Sequence, residues 1–260
     1  MITPKKNELN AMAQRMLRDY DAGSPGTIFG EGLRLKIADA WRLQTAIAKL
    51  REQRGEHVIG YKIGCICEKN QKLMGLSNPV WGRLWSTEQH PDRVILNKRS
   101  YANVALEAEF AIILKRNIEP TKLSKKNLTD SISSIYPVIE IHNLVLRGSA
   151  PHGAELLANN CIHAGFVRGS PVTNVRVKKT TNLALHFDKN IVDSWPSLIW
   201  PNDILSSIHW LAQQLSCIGE SLKKGTIILT GAFGPPIPLG GNSRVSVTSS
   251  EFGEVSAEFK

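Results

Sequence analysis

Two glutamates two residues apart inside an apolar run are the first place where this chain invites chemistry: Val104-Ala105-Leu106-Glu107-Ala108-Glu109-Phe110-Ala111-Ile112-Ile113-Leu114. Residues i and i+2 of a strand point to one face, so the two carboxylates lie side by side. In an apolar setting that pair is costly unless something neutralises it, and a hard divalent cation such as Mg²⁺ or Mn²⁺ does so well. A half-exposed sheet whose polar face meets water would show the same pattern, and this segment alone leaves both readings open.

A second run, Tyr136-Pro137-Val138-Ile139-Glu140-Ile141-His142, carries one isolated carboxylate. Three carboxylates from two strands would leave the remaining positions of an octahedral ion to water and substrate. His142 shares the face of Glu140 and is open to three roles: support for a ligand, proton carrier, or structural histidine. The third feature is Gly60-Tyr61-Lys62-Ile63-Gly64. Buried near a cation, Lys62 would have a lowered pKa and serve as a base or as a clamp for a substrate carboxylate. An edge-strand lysine that deters aggregation is the alternative.

These segments need a scaffold. Leu9, Met12, Met16, Leu17 and Tyr20 recur at helical spacing with Gly23 as a stop. A glycine-rich loop follows from Gly23 to Gly32, then Ile37, Ala40, Trp41, Ile47 and Leu50 predict a second amphipathic helix ending near Gly55. From Val58 the texture turns to strands: Val58–Ile63, Val104–Leu114, Tyr136–Leu146, and Leu183, Leu185 and Phe187 before an Asp188-Lys189-Asn190 turn. One strong helix interrupts them, capped by Asp203, with Ile204, Leu205, Ile208, Leu211, Ala212 and Leu215 inside and Gly225 at its end. Thr226–Thr230 reads as a buried strand, and two alternating strands flank a Glu251-Phe252-Gly253 turn. The expected plan is α+β: a helical N-terminal portion, 1–57, and a β-rich metal-binding portion, 58–260, packed as one unit.

At 260 residues with 42% hydrophobic content, the chain is long enough to bury a core. Its net charge of +9 comes from scattered residues and short pairs (Lys5–Lys6, Lys125–Lys126, Lys178–Lys179, Lys223–Lys224) and not from a basic run interleaved with aromatics. A solvated basic surface that attracts anions is therefore preferred to nucleic-acid binding. Cysteines 65, 67, 161 and 217 make neither a disulfide framework nor a zinc-type spacing; Cys65 and Cys67 are expected on one strand face in ordinary burial. The N-terminus lacks a signal-peptide core and no apolar stretch approaches the roughly 20 residues that span a bilayer, so a cytoplasmic setting without membrane contact is expected. GxSxG, GxxxxGK[ST] and HExxH are absent.

In order and spacing the segments resemble the 2-hydroxypenta-2,4-dienoate (2-keto-4-pentenoate) hydratase and 4-oxalocrotonate decarboxylase branch of the fumarylacetoacetate hydrolase superfamily. Ala38-Asp39-Ala40-Trp41-Arg42-Leu43-Gln44, Gly60-Tyr61-Lys62-Ile63-Gly64, Pro79-Val80-Trp81-Gly82, the Glu107/Glu109 pair, Glu140, Ile228-Leu229-Thr230-Gly231 and Pro235-Pro236-Ile237-Pro238 carry the likeness over most of the chain. The resemblance implies a β-rich mixed-sheet fold, homo-oligomers, and Mg²⁺ or Mn²⁺ on Glu107, Glu109 and Glu140. It also implies Lys62 near the substrate and Thr230-Gly231 at the substrate's carboxylate end.

The implied reaction is addition of water to a short unsaturated 2-oxo acid through an enolate stabilised by the ion, a lyase reaction. Decarboxylation shares that electron sink, and a non-catalytic subunit of a pathway partner enzyme is a further alternative. Three positions depart from the branch's usual acids: Val80, the His142-Asn143 pair, and Asn159 in Asn159-Asn160-Cys161-Ile162-His163. Either His142 or His163 takes over the proton transfer those acids would serve, or the reaction or substrate differs from that of the namesake hydratase.

Overall fold

Alternation along two long strands divides the molecule into a core side and a site side. The computed structural model describes residues 4–119, 124–173 and 180–260, with the side chain of Lys125 left aside; Lys178–Lys179 lie outside the described residues. In chain order come α1 (Lys6–Asp21), α2 (Thr27–Gly30), α3 (Ile37–Gln53), β1 (Val58–Gly64), α4 (Glu68–Met74), β2 (Val80–Trp85), β3 (Gln89–His90), β4 (Val94–Leu96) and β5 (Val104–Leu114). They are followed by α5 (Lys125–Thr129), β6 (Ile132–Asn143), α6 (Gly153–Ala158), β7 (His163–Arg168), β8 (Thr180–Phe187), β9 (Asn190–Ile199) and α7 (Asn202–Cys217). β10 (Ile227–Leu229), β11 (Ile237–Pro238), β12 (Arg244–Ser249) and β13 (Gly253–Phe259) complete the chain.

An eight-stranded mixed sheet runs β2-β1-β10-β5-β6-β7-β3, with β11 beside β5; a five-stranded sheet runs β4-β13-β12-β8-β9. On β5, Leu106, Ala108, Phe110 and Ile112 enter one large core with Ile139 and Ile141 of β6, Leu183 and Leu185 of β8, Val247 and Val255 of the second sheet, and Ile208 and Leu211 of α7. The intervening residues, Glu107 and Glu109 on β5 and Glu140 and His142 on β6, therefore face the opposite side. Register brings Glu107 directly across from Glu140.

That opposite side is covered too. α1, α3 and α6 share an apolar cluster of Leu9, Ala13, Met16, Leu43 and Leu156 that extends to Val80 on β2. Gln44 of α3 is buried there, donating to Trp81 O and Leu157 O and accepting from Arg83, so one amide ties α3 to β2 and α6. The N-terminal helices thus share a core with a helix from the second portion of the chain.

Several local expectations shift. α7 starts at Asn202, and Asp203, inside its first turn, accepts a bond from Ile199 N at 2.8 Å; the helix ends at Cys217, well before Gly225. The glycine-rich loop contains α2, and short helices α4, α5 and α6 join α7 in the β-rich portion. The Tyr136 strand begins at Ile132 and stops at Asn143, short of Leu146. β1 ends at Gly64, so Cys65 and Cys67 are not on a strand; Cys65 has φ +52° and Cys67 is exposed. No helix of the described residues is long and apolar enough to cross a membrane.

Candidate active site

The carboxylate face is buried, which removes the solvent-facing reading of the Glu107/Glu109 pair. Glu109 and Glu140 are 0% exposed, and Glu107 and Lys62 are nearly as enclosed. One donor atom each from Glu107, Glu140 and His142 lies within 4.8 Å of the others. His142 Nε2 is 2.9 Å from Glu107 Oε2 and 3.5 Å from Glu140 Oε2, while Lys62 Nζ is 3.3 Å from Glu140 Oε1. Glu109 stands one step deeper: its Oε2 accepts the Gly231 N–H at 2.9 Å. Gly231 has φ +103°, and a Cβ there would meet Ile66 Cγ2 at 2.6 Å, so this donor position requires glycine.

Charge crowding fixes the protonation pattern. Burial alone would push Lys62 toward neutrality, but Glu140 and then Glu107 outweigh it and raise its pKa above the ordinary lysine range. Without a cation on those carboxylates Lys62 is thus held as an ammonium; the lowered pKa expected for it belongs to the cation-loaded site, where the same carboxylate charge is neutralised. β1 lies between β2 and β10, so Lys62 is no edge-strand gatekeeper. Burial also opposes ionisation of Glu140, yet Lys62, His142 and His163 hold its pKa below the carboxylate range. Glu109 goes the other way: burial, then Glu140 and Glu107, raise its pKa well above the ordinary 4.5.

A raised acid pKa means that the folded state holds a proton the unfolded chain has released, so stability falls as pH climbs above about 4.5 toward the folded value. His90, whose pKa burial lowers, opposes this by stabilising as pH rises through the ordinary 6.5. The expected result is that metal-free protein loses more Tm between pH 5 and pH 8 than Glu109→Gln protein, and that Mg²⁺ erases the difference. Parallel Tm profiles for the two metal-free proteins would show that Glu109 is ionised without a cation.

The residues fit a divalent cation. Glu109 Oε1, Glu140 Oε2 and His142 Nδ1 are buried without a hydrogen-bond partner, a state that costs about 1–3 kcal/mol per group unless a ligand or water engages it. Oxygen-rich donors with one imidazole suit a hard or borderline ion.

Of the other expected site residues, His163 lies behind Glu140. Its Nδ1 is 2.7 Å from Glu140 Oε1, and its Nε2 is 3.9 Å from Glu88 Oε2. Glu88 is in turn held by the Tyr20 hydroxyl at 2.7 Å and by Arg51 at 2.6 Å, with Glu56 on the other side of Arg51. This buried network was not foreseen, because its members are spread over α1, α3 and the turn after β2 with no periodic signal. Thr230 is also committed: its hydroxyl donates to Phe110 O at 3.2 Å, and its carbonyl accepts from Ser207.

A cleft of about 710 Å³, mouth included, opens over Lys62, Glu107 and His142. His163, Thr230 and Gly231 are not among its lining residues; the segment Ala232–Pro236 contributes instead through Ala232, Gly234, Pro235 and Pro236. Val80 sits in the lining, and Asn143 holds a turn by accepting from Ala102 N at 2.8 Å. Asn159 borders the pocket that His163 shares with Tyr20 and Arg51, so none of the three departures puts an acid in the cleft.

Cys161 and Ile162 reach the cleft from a run of left-handed residues, Asn160, Cys161 and Ile162 at φ +52° to +57°. Such residues cost roughly 1–2 kcal/mol each. Asn160 secures the run by bonding Arg83 N and O, and Cys161 Sγ donates to Trp81 O. Gly82 permits this approach, since a Cβ there would stand 2.7 Å from Asn160 O.

No protein-family model matches the chain. It is 26% identical over 222 residues, 85% of either chain, to a 2-keto-4-pentenoate hydratase of Burkholderia vietnamiensis. It is 23% identical over 227 residues, 86% of either chain, to a 4-oxalocrotonate decarboxylase of Pseudomonas putida. The chain is a homologue of this hydratase–decarboxylase branch. The branch's fold is shared throughout: a 4-oxalocrotonate decarboxylase from Pseudomonas putida G7, solved with magnesium and adipate, superposes with a TM-score of 0.88 at 22% identity over all of both chains.

Proposed function

We propose that this protein is a divalent-metal-dependent lyase that adds water to a short unsaturated 2-oxo or 2-hydroxy acid of the 2-hydroxypenta-2,4-dienoate type. The observation that carries the reading is the buried cluster of Lys62, Glu107, Glu109, Glu140 and His142, of which Lys62, Glu107 and His142 line a cleft. A homologue whose structure holds magnesium supports it. Glu107, Glu140 and Glu109 would hold Mg²⁺ or Mn²⁺, with His142 beside them. When bound, the ion supplies Lewis acidity toward the substrate's carboxylate and 2-oxo oxygens.

The chain's own groups do the rest. Lys62, as an ammonium, orients the substrate carboxylate and offsets negative charge that builds on the substrate. His142 lines the cleft with its Nδ1 unpartnered and Nε2 on Glu107, so it holds or passes the proton exchanged with water or with the substrate carbon. His163 has no access to the cleft and keeps Glu140 oriented, as an outer partner of a metal carboxylate does. The apolar walls exclude bulk water from the reacting carbons.

The test is a spectrophotometric assay with 2-hydroxypenta-2,4-dienoate and, separately, 4-oxalocrotonate, each with Mg²⁺, Mn²⁺ or EDTA. The expected result is metal-dependent loss of the diene absorbance with 4-hydroxy-2-oxopentanoate as product. Release of carbon dioxide from 4-oxalocrotonate alone would assign decarboxylation instead. Glu107→Gln is expected to abolish metal-dependent turnover, and full activity in that variant would sink the site assignment.

A further inference from the structure

The cleft's lining combines a few polar side chains with a larger apolar set, and the two have different consequences. Lys62, Glu107 and His142 form the floor. Lys62 is the only Lys or Arg among the described residues lining the cleft, and its ammonium is already turned to Glu140 at 3.3 Å. The apolar part of the lining includes Met74, Val80, Leu146, Leu156, Ile162 and Pro236. At the rim stands Leu73 of α4, 71% exposed although it is a large apolar residue.

From this geometry we infer that the cleft selects 2-oxo acids whose far end is an unbranched apolar tail and rejects those that end in a second carboxylate. This rests on the functional reading above only in placing the 2-oxo acid head at the floor. The head group uses the cleft's single cation. A carboxylate on the tail would lose its water against Leu, Ile, Met and Pro side chains with no cation to meet it, whereas each methylene buried there gains about 0.8 kcal/mol, close to a fourfold gain in affinity. Asn70 is the amide in the lining, and an amide does not replace a cation for a desolvated carboxylate.

The experiment measures binding of unreactive saturated 2-oxo acids to the Mg²⁺-loaded protein by calorimetry, so it does not depend on turnover. Affinity is expected to rise about fourfold per carbon from 2-oxobutanoate through 2-oxopentanoate to 2-oxohexanoate. 2-Oxoadipate, which matches 2-oxohexanoate in length but ends in a carboxylate, is expected to bind at least about thirtyfold more weakly. Leu73→Arg, at an exposed position, places a cation at the rim and is expected to recover about tenfold for 2-oxoadipate while weakening 2-oxohexanoate. Equal or tighter binding of 2-oxoadipate, a flat series, or no binding of 2-oxohexanoate would each overturn the inference. Tail preference without turnover of any 2-hydroxydienoate would leave the inference standing and remove the hydratase reading alone.

Discussion

Glu140→Gln is expected to lose cation binding and turnover together and to destabilise the metal-free fold by about 3–5 kcal/mol, the usual cost of breaking a buried ion pair from one side. Glu140 is 0% exposed and is the hub of the site: Lys62 at 3.3 Å, His163 at 2.7 Å and His142 at 3.5 Å all converge on it. The amide keeps the shape but removes the charge, leaving a buried ammonium facing a neutral group. It also deletes an oxygen from the trio of Glu107, Glu140 and His142. Mn²⁺ titration followed by electron paramagnetic resonance reads the first effect, and urea unfolding in EDTA reads the second. Wild-type Mn²⁺ affinity in a folded Glu140→Gln protein would mean that the cation sits elsewhere.

Lys62→Met is expected to separate the two functions that Glu140 joins. Turnover should fall by about 10²–10³-fold, the scale for removing one preorganised electrostatic partner of developing charge. Cation affinity should hold or tighten, because a positive charge next to the ligands is gone. Metal-free Lys62→Met should be less stable than wild type, since Glu140, Glu107 and Glu109 then face one another without the ammonium that now balances them. Saturating cation should restore it: binding at one hundred times Kd contributes about 2.7 kcal/mol. The measurement is kcat/KM alongside Mn²⁺ affinity and Tm with and without metal. If affinity collapses in step with turnover, Lys62 acts by shaping the ligand set and not by meeting the substrate.

Much of this site was legible before any coordinates. The two-residue spacing of Glu107 and Glu109 and of Glu140 and His142 gives their shared faces directly, because strand periodicity is a property of the local backbone. The apolar residues between them fixed the opposite face as core, and Leu106, Phe110, Ile139 and Ile141 are there. Helical stripes placed α1 and α3 for the same reason. Local turn chemistry was less readable: Asp203 and Gly225 looked like helix ends, but α7 runs Asn202–Cys217, with Asp203 inside its first turn and Gly225 well past its end.

What the sequence determined by itself is which residue types share a face and that their charges need a partner. What only the tertiary structure decided is how those faces meet. Sequence spacing cannot say that β5 and β6 pair with Glu107 across from Glu140, nor that β1 brings Lys62 to the same oxygen. It cannot give the sign of the Lys62 shift either, since burial lowers that pKa and three carboxylates from other strands raise it. Nor does it separate His142, which faces the cleft, from His163, which stands behind Glu140. Electrostatic sign and cleft shape are sums over groups far apart in the chain, and folding is what sets the distances in those sums.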